Sequence, residues 1–213
     1  MKTTKPAAKH GGKPGRQNLV VWAIIICLLL GGFGLRNFPF TQGDFDSDRQ
    51  PIVVTIDNFY HTIFSKYFYD QEDARYFPDF WMMGEHTINL QPPLLFVFQA
   101  TFAKINSISL YDSFFFIMCL FMVLTALNVY LIIKRAFNPH VALIALALSL
   151  FPAYRWLLDL VFGFSLDVFS FFLMSAAIFF MLRNLELKSK IVPVFIGVLL
   201  ATAFLTLVVE AVY

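Results

Sequence analysis

From Ser113 to Ile133 the chain runs through twenty-one residues without a charged side chain and then meets Lys134-Arg135. About twenty apolar residues suffice for a helix to cross the hydrocarbon of a bilayer. Backbone in lipid must satisfy its own hydrogen bonds, which leaves a helix as the only form open to such a run. Other stretches repeat the pattern. Leu19 to Leu35 is apolar; Val141 to Ala153 is shorter and ends in an interfacial mixture of Pro152, Tyr154, Arg155 and Trp156. Val161 to Leu182 carries Asp167 near its beginning and stops at Arg183, and Ile191 to Val212 holds Glu210 near its end. The expectation is an all-α fold: a polytopic helical membrane protein with about five transmembrane helices and a large extracytoplasmic first loop containing interfacial helices.

Composition excludes a soluble domain. Hydrophobic residues make up 59% of the 213 and charged residues 14%, with a mean hydropathy of +0.70. Soluble domains carry roughly 25% charged residues. The charge that is present is segregated. Lys2, Lys5, Lys9, Lys13 and Arg16 crowd a tail, residues 1–18, that contains no acid. It reads as a cytoplasmic anchor against anionic lipid, not a nucleic-acid arm. Cys27 and Cys119 lie within apolar runs and are expected to be packed thiols. The run after the tail, about seventeen residues from Leu19, exceeds the usual signal h-region of about 7–15 residues. It also lacks a small-x-small cleavage site, so a retained span is expected.

Positive charge sets the predicted orientation. The basic tail, Lys134-Arg135, and Arg183 with Lys188 and Lys190 occupy alternate connections and are assigned to the cytoplasm. His140, beside Pro139, falls in one of these turns and reads as a loop residue. Residues 19–213 then form the membrane domain, with the outer loop at 36–112. That loop has ten acidic and five basic side chains. It is also rich in aromatic residues. From Asp57 onward, Tyr60, Phe64, Tyr67 and Phe68 recur at helical spacing, which predicts an amphipathic helix lying along the membrane surface. Leu94 to Ile105 is too short to cross alone, and its Pro92-Pro93 start suits a helix at or dipping into the interface.

The candidate chemistry lies in this loop and at the outer end of the fourth span. Asp57 and His61 are four residues apart and share a helix face, where they can hold a proton or a divalent cation. The plain reading is an Asp N-cap followed by a surface histidine. Asp167 is a charge inside an apolar run, costly in lipid unless it faces a polar cavity. Asp159, eight residues earlier, is placed at the same level. Three carboxylates converging there suit a hard ion such as Mg2+ or Mn2+. Arg155 is a candidate for stabilising a phosphate, against the plain reading of a snorkelling arginine. Asp44, Asp46, Asp48 and the Glu85-His86 pair read as solvated loop. No phosphate-binding glycine motif and no Ser-His-Asp or Cys-His nucleophile is found.

An ordered series of short motifs resembles the amino-terminal part of the GT-C membrane glycosyltransferases. This superfamily includes oligosaccharyltransferases and polyprenyl-phosphate-sugar-dependent transferases. The series is Gly34-Leu35-Arg36-Asn37-Phe38-Pro39, Asp57-Asn58-Phe59-Tyr60-His61, Pro78-Asp79, Gln91-Pro92-Pro93-Leu94-Leu95 and Gly163-Phe164-Ser165-Leu166-Asp167. The resemblance implies inverting transfer of a sugar from a polyprenyl phosphate or pyrophosphate to an acceptor on the extracytoplasmic side. By that analogy Asp57 is the catalytic carboxylate or a metal ligand, His61 and Arg155 bind phosphate, and Asp159 and Asp167 complete the site. The sequence departs from the family pattern at Asn58, which stands where a second acid often follows the first. Five spans without a soluble domain also suggest a truncated chain. The implied partners are a lipid-linked sugar donor, membrane lipids and additional membrane subunits, with no nucleic acid. The competing expectation is a non-catalytic membrane subunit or lipid-binding scaffold that retains the outer groove.

Overall fold

The computed structural model describes residues 16–41, 65–70, 76–78, 86–88, 94–151 and 165–210. Its elements in chain order are α1 (Arg16–Thr41), α2 (65–70), β1 (Tyr76–Pro78), β2 (His86–Ile88), α3 (Leu94–Asn106), α4 (Leu110–Ala136), α5 (Pro139–Leu150), α6 (Ser165–Leu187) and α7 (Val192–Glu210). The helical expectation holds, with one addition. Aromatic and β-branched residues in the long loop pair as a two-stranded antiparallel ribbon, with Phe77 opposite Thr87. A helix starting at Asp57 lies outside the described residues; of that segment residues 65–70, labelled α2, are described and are helical.

Helix α4 is the spine. Its 27 residues reach about 40 Å, and it packs against α1, α3, α5 and α6, while α7 packs chiefly on α6. Ser109 caps it: its hydroxyl accepts from the Asp112 amide at 3.0 Å and donates to the Asp112 carboxylate at 2.7 Å. The first bond satisfies one orphaned amide at the helix start, and the second ties the capping hydroxyl to the first-turn carboxylate. Asn138 caps α5 in the same way, accepting from the His140 and Val141 amides, with Pro139 in the first turn. His140 is therefore in the first turn of α5, not in a loop, because the Asn-Pro pair starts the helix two residues before it.

Two apolar clusters share the spine. The N-terminal half of α4 contributes Phe114, Phe115, Ile117, Met118 and Phe121 to a cluster with α3, α6 and α7. The C-terminal half contributes Val123, Ala126 and Tyr130 to a second cluster with α1 and α5. Ile25 enters that second cluster, with Val21, Leu28 and Leu29 from the same face of α1, at the i, i+3, i+4 spacing of a helical stripe. Lys134 fastens the α1–α4 contact, its Nζ 5.8 Å from the Trp22 ring and 5.6 Å from the Tyr130 ring. Cys119 is buried as expected, but Cys27 is exposed on the outward face of α1 and is not a packed thiol.

Among the described residues, Asp112–Ala136 and Val168–Leu185 are long and apolar enough to cross a membrane. Leu19–Leu35, Pro139–Leu150 and Val192–Thr206 are shorter apolar stretches, so two of the five expected spans meet that length. The outward faces remain apolar all the same. Ile144 and Leu148 on α5 and Val194 and Phe204 on α7 are all exposed. Helices apolar on every side suit a hydrocarbon surround.

Candidate functional site

Helix α3 opens after Pro92-Pro93 and lays Leu95, Phe96, Ala100 and Ala103 against α4. One polar residue shares that buried face. Gln99 is 1% exposed, and it meets Ser65 from α2 and Ser113 from α4, both wholly buried. The Ser65 hydroxyl donates to Gln99 Oε1 at 2.5 Å. Gln99 Nε2 donates to the Leu110 carbonyl at 3.2 Å, and the Ser113 hydroxyl donates to the Gln99 backbone carbonyl at 2.9 Å. An amide buried without partners is costly, so the two ends of this side chain hold three segments together.

A groove of about 440 Å³ opens between α4, α5 and α6. Met122, Thr125, Ala126 and Val129 form its α4 wall at i, i+3, i+4, i+7 spacing. Val168, Phe171, Met174, Ser175 and Ile178 form the α6 wall, and Ser149 closes it from α5. From Val168 to Ile178 the wall extends about 15 Å. The hydroxyls in it are turned back onto their own helices. Thr125 donates to the Phe121 carbonyl, Ser149 to the Ala145 carbonyl and Ser175 to the Phe172 carbonyl, each within 2.9 Å. One polar contact links α4 to the lining residue Ser175, from Asn128 Nδ2 to Ser175 Oγ at 3.0 Å. What remains is an elongated apolar surface, suited to a hydrocarbon chain.

The charged candidates fall as follows. Asp57, His61, Arg155 and Asp159 lie outside the described residues. The backbone places Asp167 in the first turn of α6, next to Val168 at the end of the groove. An acid in a first turn also sits at the favourable end of the helix dipole. Among the described residues, no group of three or more His, Cys, Asp or Glu side chains converges.

Neither the groove nor the Gln99 knot was foreseen from sequence. The signal for the knot was a lone amide inside Leu94–Ala103; the signal for the α4–α6 contact beside the groove was Asn128 and Ser175, polar residues within long apolar runs.

Comparison with known proteins yields no curated protein and no solved structure that matches. Residues 90–213, 124 of the 213, match the family described as dolichyl-phosphate-mannose-protein mannosyltransferase. The matched region contains α3 to α7 and therefore the whole groove. The chain belongs to the dolichyl-phosphate-mannose-protein mannosyltransferase family, a membrane-integral family of glycosyltransferases of the GT-C type.

Proposed function

We propose that the protein transfers a sugar, with inversion, from a polyprenyl phosphate or pyrophosphate to an acceptor on the extracytoplasmic side of the membrane. The observation that carries this reading is the apolar groove between α4, α5 and α6, which ends one residue from Asp167. A lipid-linked donor needs both features: a trough for the isoprenoid tail and polar groups where its phosphate emerges. The family's description names dolichyl phosphate mannose, which makes that compound the first donor to test.

In the proposed reaction Asp57 takes the proton from the acceptor hydroxyl. The hydroxyl oxygen attacks the anomeric carbon on the face opposite the phosphate, and the carbon–oxygen bond to phosphate breaks with its electron pair leaving on the phosphate. A carboxylate serves as base when it lies within hydrogen-bond reach of that hydroxyl, whatever its pKa. His61 and Arg155 hold the phosphate as charge develops on it. Asp57, Asp159 and Asp167 offer the hard oxygen donors a Mg2+ or Mn2+ ion takes, and such an ion would neutralise phosphate charge.

The test uses the purified protein in proteoliposomes with dolichyl phosphate mannose as donor. Asp57→Asn is expected to abolish transfer while membrane insertion is unchanged. Ile178→Trp, which fills the groove, is expected to raise the KM for the donor about tenfold, a loss of roughly 1.4 kcal/mol of tail binding. Full activity in Asp57→Asn would remove that residue from the mechanism. An unchanged KM in Ile178→Trp would separate the groove from the donor.

A further inference from the structure

We infer that one end of the bundle, where α1 starts and the α4–α5 and α6–α7 turns lie, binds anionic phospholipid, with the headgroup phosphate at Lys134 beside Trp22. The inference does not depend on the transfer reading.

Contacts between the helices fix which residues share this end. Asn128 of α4 meets Ser175 of α6, and Phe121 stacks on Phe172, so these two helices run in the same direction. Their last turns are therefore level, with Lys134 and Arg135 at the height of Arg183. Helix α1 runs the other way along α4, since Phe33 meets Phe116 while the Trp22 ring meets Lys134. Phe180 meets Phe195, which makes α6 and α7 a hairpin whose turn, with Lys188 and Lys190, falls at the same end. The sequence of these segments, 16–22, 134–141 and 183–191, holds Arg16, Lys134, Arg135, Arg183, Lys188 and Lys190 against Glu186 alone. Among the described side chains, the acids Asp70 and Asp112 belong to the opposite end, near the start of α4.

Short, capped turns hold the cations in place. The Phe137 amide donates to the Ile133 carbonyl at 2.9 Å, directly before the Asn138 cap of α5. At the second turn the Lys188 amide donates to the Asn184 carbonyl at 2.8 Å and the Ser189 amide to Asn184 Oδ1 at 2.9 Å. Lys134 is held further by the rings of Trp22 and Tyr130, yet it is exposed. An ammonium has three N–H donors, and those turned from the rings are open to an acceptor.

Cations alone would suit a soluble phosphate equally well. The apolar side chains among them decide for lipid. Phe137 is 70% exposed, Leu185 71% and Ile191 79%, each one or two residues from a cation. Below Lys134 a stripe descends the outer face of α1: Trp22, Ile26 and Leu30, all exposed, follow one another at i, i+4 spacing. Tryptophan favours the headgroup level. A phosphate at Lys134 thus continues into an acyl chain laid along Ile26 and Leu30. A lipid matches both parts of this surface, and a free anion matches only the first.

Trp22 itself is the reporter. The test uses the full chain carrying Trp81→Phe and Trp156→Phe, which leaves Trp22 as its one tryptophan. It is reconstituted in phosphatidylcholine vesicles with a minor fraction of brominated phosphatidylglycerol or brominated phosphatidylcholine. The anionic lipid is expected to quench Trp22 with an apparent affinity about five- to tenfold higher, as one or two cations near a headgroup supply. Lys134→Gln is expected to lower that preference about fivefold, Lys134→Arg to keep it, and Lys104→Gln, at the opposite end, to leave it unchanged. Equal quenching by the two lipids overturns the inference, as does a preference indifferent to Lys134→Gln. Loss of the preference on adding millimolar glycerol 3-phosphate also overturns it, by assigning the site to a soluble anion. If the tryptophan replacements prevent folding, native mass spectrometry of the unmodified chain decides: phosphatidylglycerol retained over phosphatidylcholine, and lost in Lys134→Gln, is the expected result, and equal retention of the two lipids overturns it.

Discussion

The two halves of α4 are packed by different means. Its N-terminal half is set among rings: Phe121 lies with its centroid 5.9 Å from Phe98, 5.0 Å from Phe169 and 5.0 Å from Phe172, the last pair nearly parallel. Its C-terminal half meets Ala142, Leu146 and Leu150 of α5 and Ile25 of α1, with Tyr130 the one buried ring. In hydrocarbon there is no hydrophobic drive between helices, and association rests on close contact and on hydrogen bonds. Rings and the Gln99 knot supply both in the first half. Small and aliphatic side chains supply contact in the second. The half that carries the Gln99 knot holds Val168, at the Asp167 end of the groove, while the groove's α4 wall from Met122 to Val129 runs on into the second half.

Truncation should expose this difference most strongly. Phe121→Ala removes one ring from three aromatic pairs and leaves flat, rigid neighbours that cannot close the hole. It is expected to cost about 4 kcal/mol, near the top of the range for a buried Phe. Leu146→Ala, in the aliphatic half, is expected to cost about 2–3 kcal/mol, since α5 can approach α4 across Ala142 and Ala126. Unfolding in mixed micelles titrated with SDS measures both. Equal losses would mean that the rings are filler and the contrast between the halves has no energetic content.

The order of these elements was legible from the sequence. Apolar runs marked α4 and α6 and the Pro-Pro pair marked the start of α3, whereas the Asn-Pro pair that starts α5 reads in sequence as a turn. The partners across the fold were not legible, because spacing along a helix says which residues share a face but not which helix that face meets. Gln99 could be seen to be odd in an apolar stretch; that its partner was Ser65, 34 residues earlier, could not. Cys27 shows the converse. An apolar run around it implied burial, yet a helix surrounded by hydrocarbon has no polar face, and the run holds no information on which side turns inward. The candidate site was legible only as separate acids, Asp57, Asp159 and Asp167, and the groove beside Asp167 emerged from three helices at once.

A hydrogen bond within the second half gives a smaller effect. Asn128 and Ser175 join α4 to α6 by a single bond at 3.0 Å. Such bonds between membrane helices average about 0.6 kcal/mol in mutant cycles, because the unfolded chain in lipid also finds partners. A double-mutant cycle with Asn128→Ala and Ser175→Ala is expected to return a coupling of that size. A coupling near zero would leave α4 and α6 held by packing alone.

The last expected change has the opposite sign: it concerns Tyr130 and tests whether the aliphatic half tolerates polarity at all. Its ring is fully buried between α1, α4 and α5, and among the described residues its hydroxyl has no hydrogen-bond partner. Removing one member of a hydrogen-bonded pair costs the desolvation of the group left behind, but here no group is left behind. Tyr130→Phe keeps the ring, its packing and the Lys134 contact above it, and discards only an oxygen already stripped of solvent. The variant is therefore expected to be as stable as the parent or more stable, by up to about 1 kcal/mol. The contrasting case is Ser65→Ala in the other half, where a hydroxyl of the same kind is bonded and its loss leaves the Gln99 oxygen unpaired by Ser65. Similar stability changes for the two, read in one SDS titration, would erase the distinction between a half built on hydrogen bonds and a half built on contact.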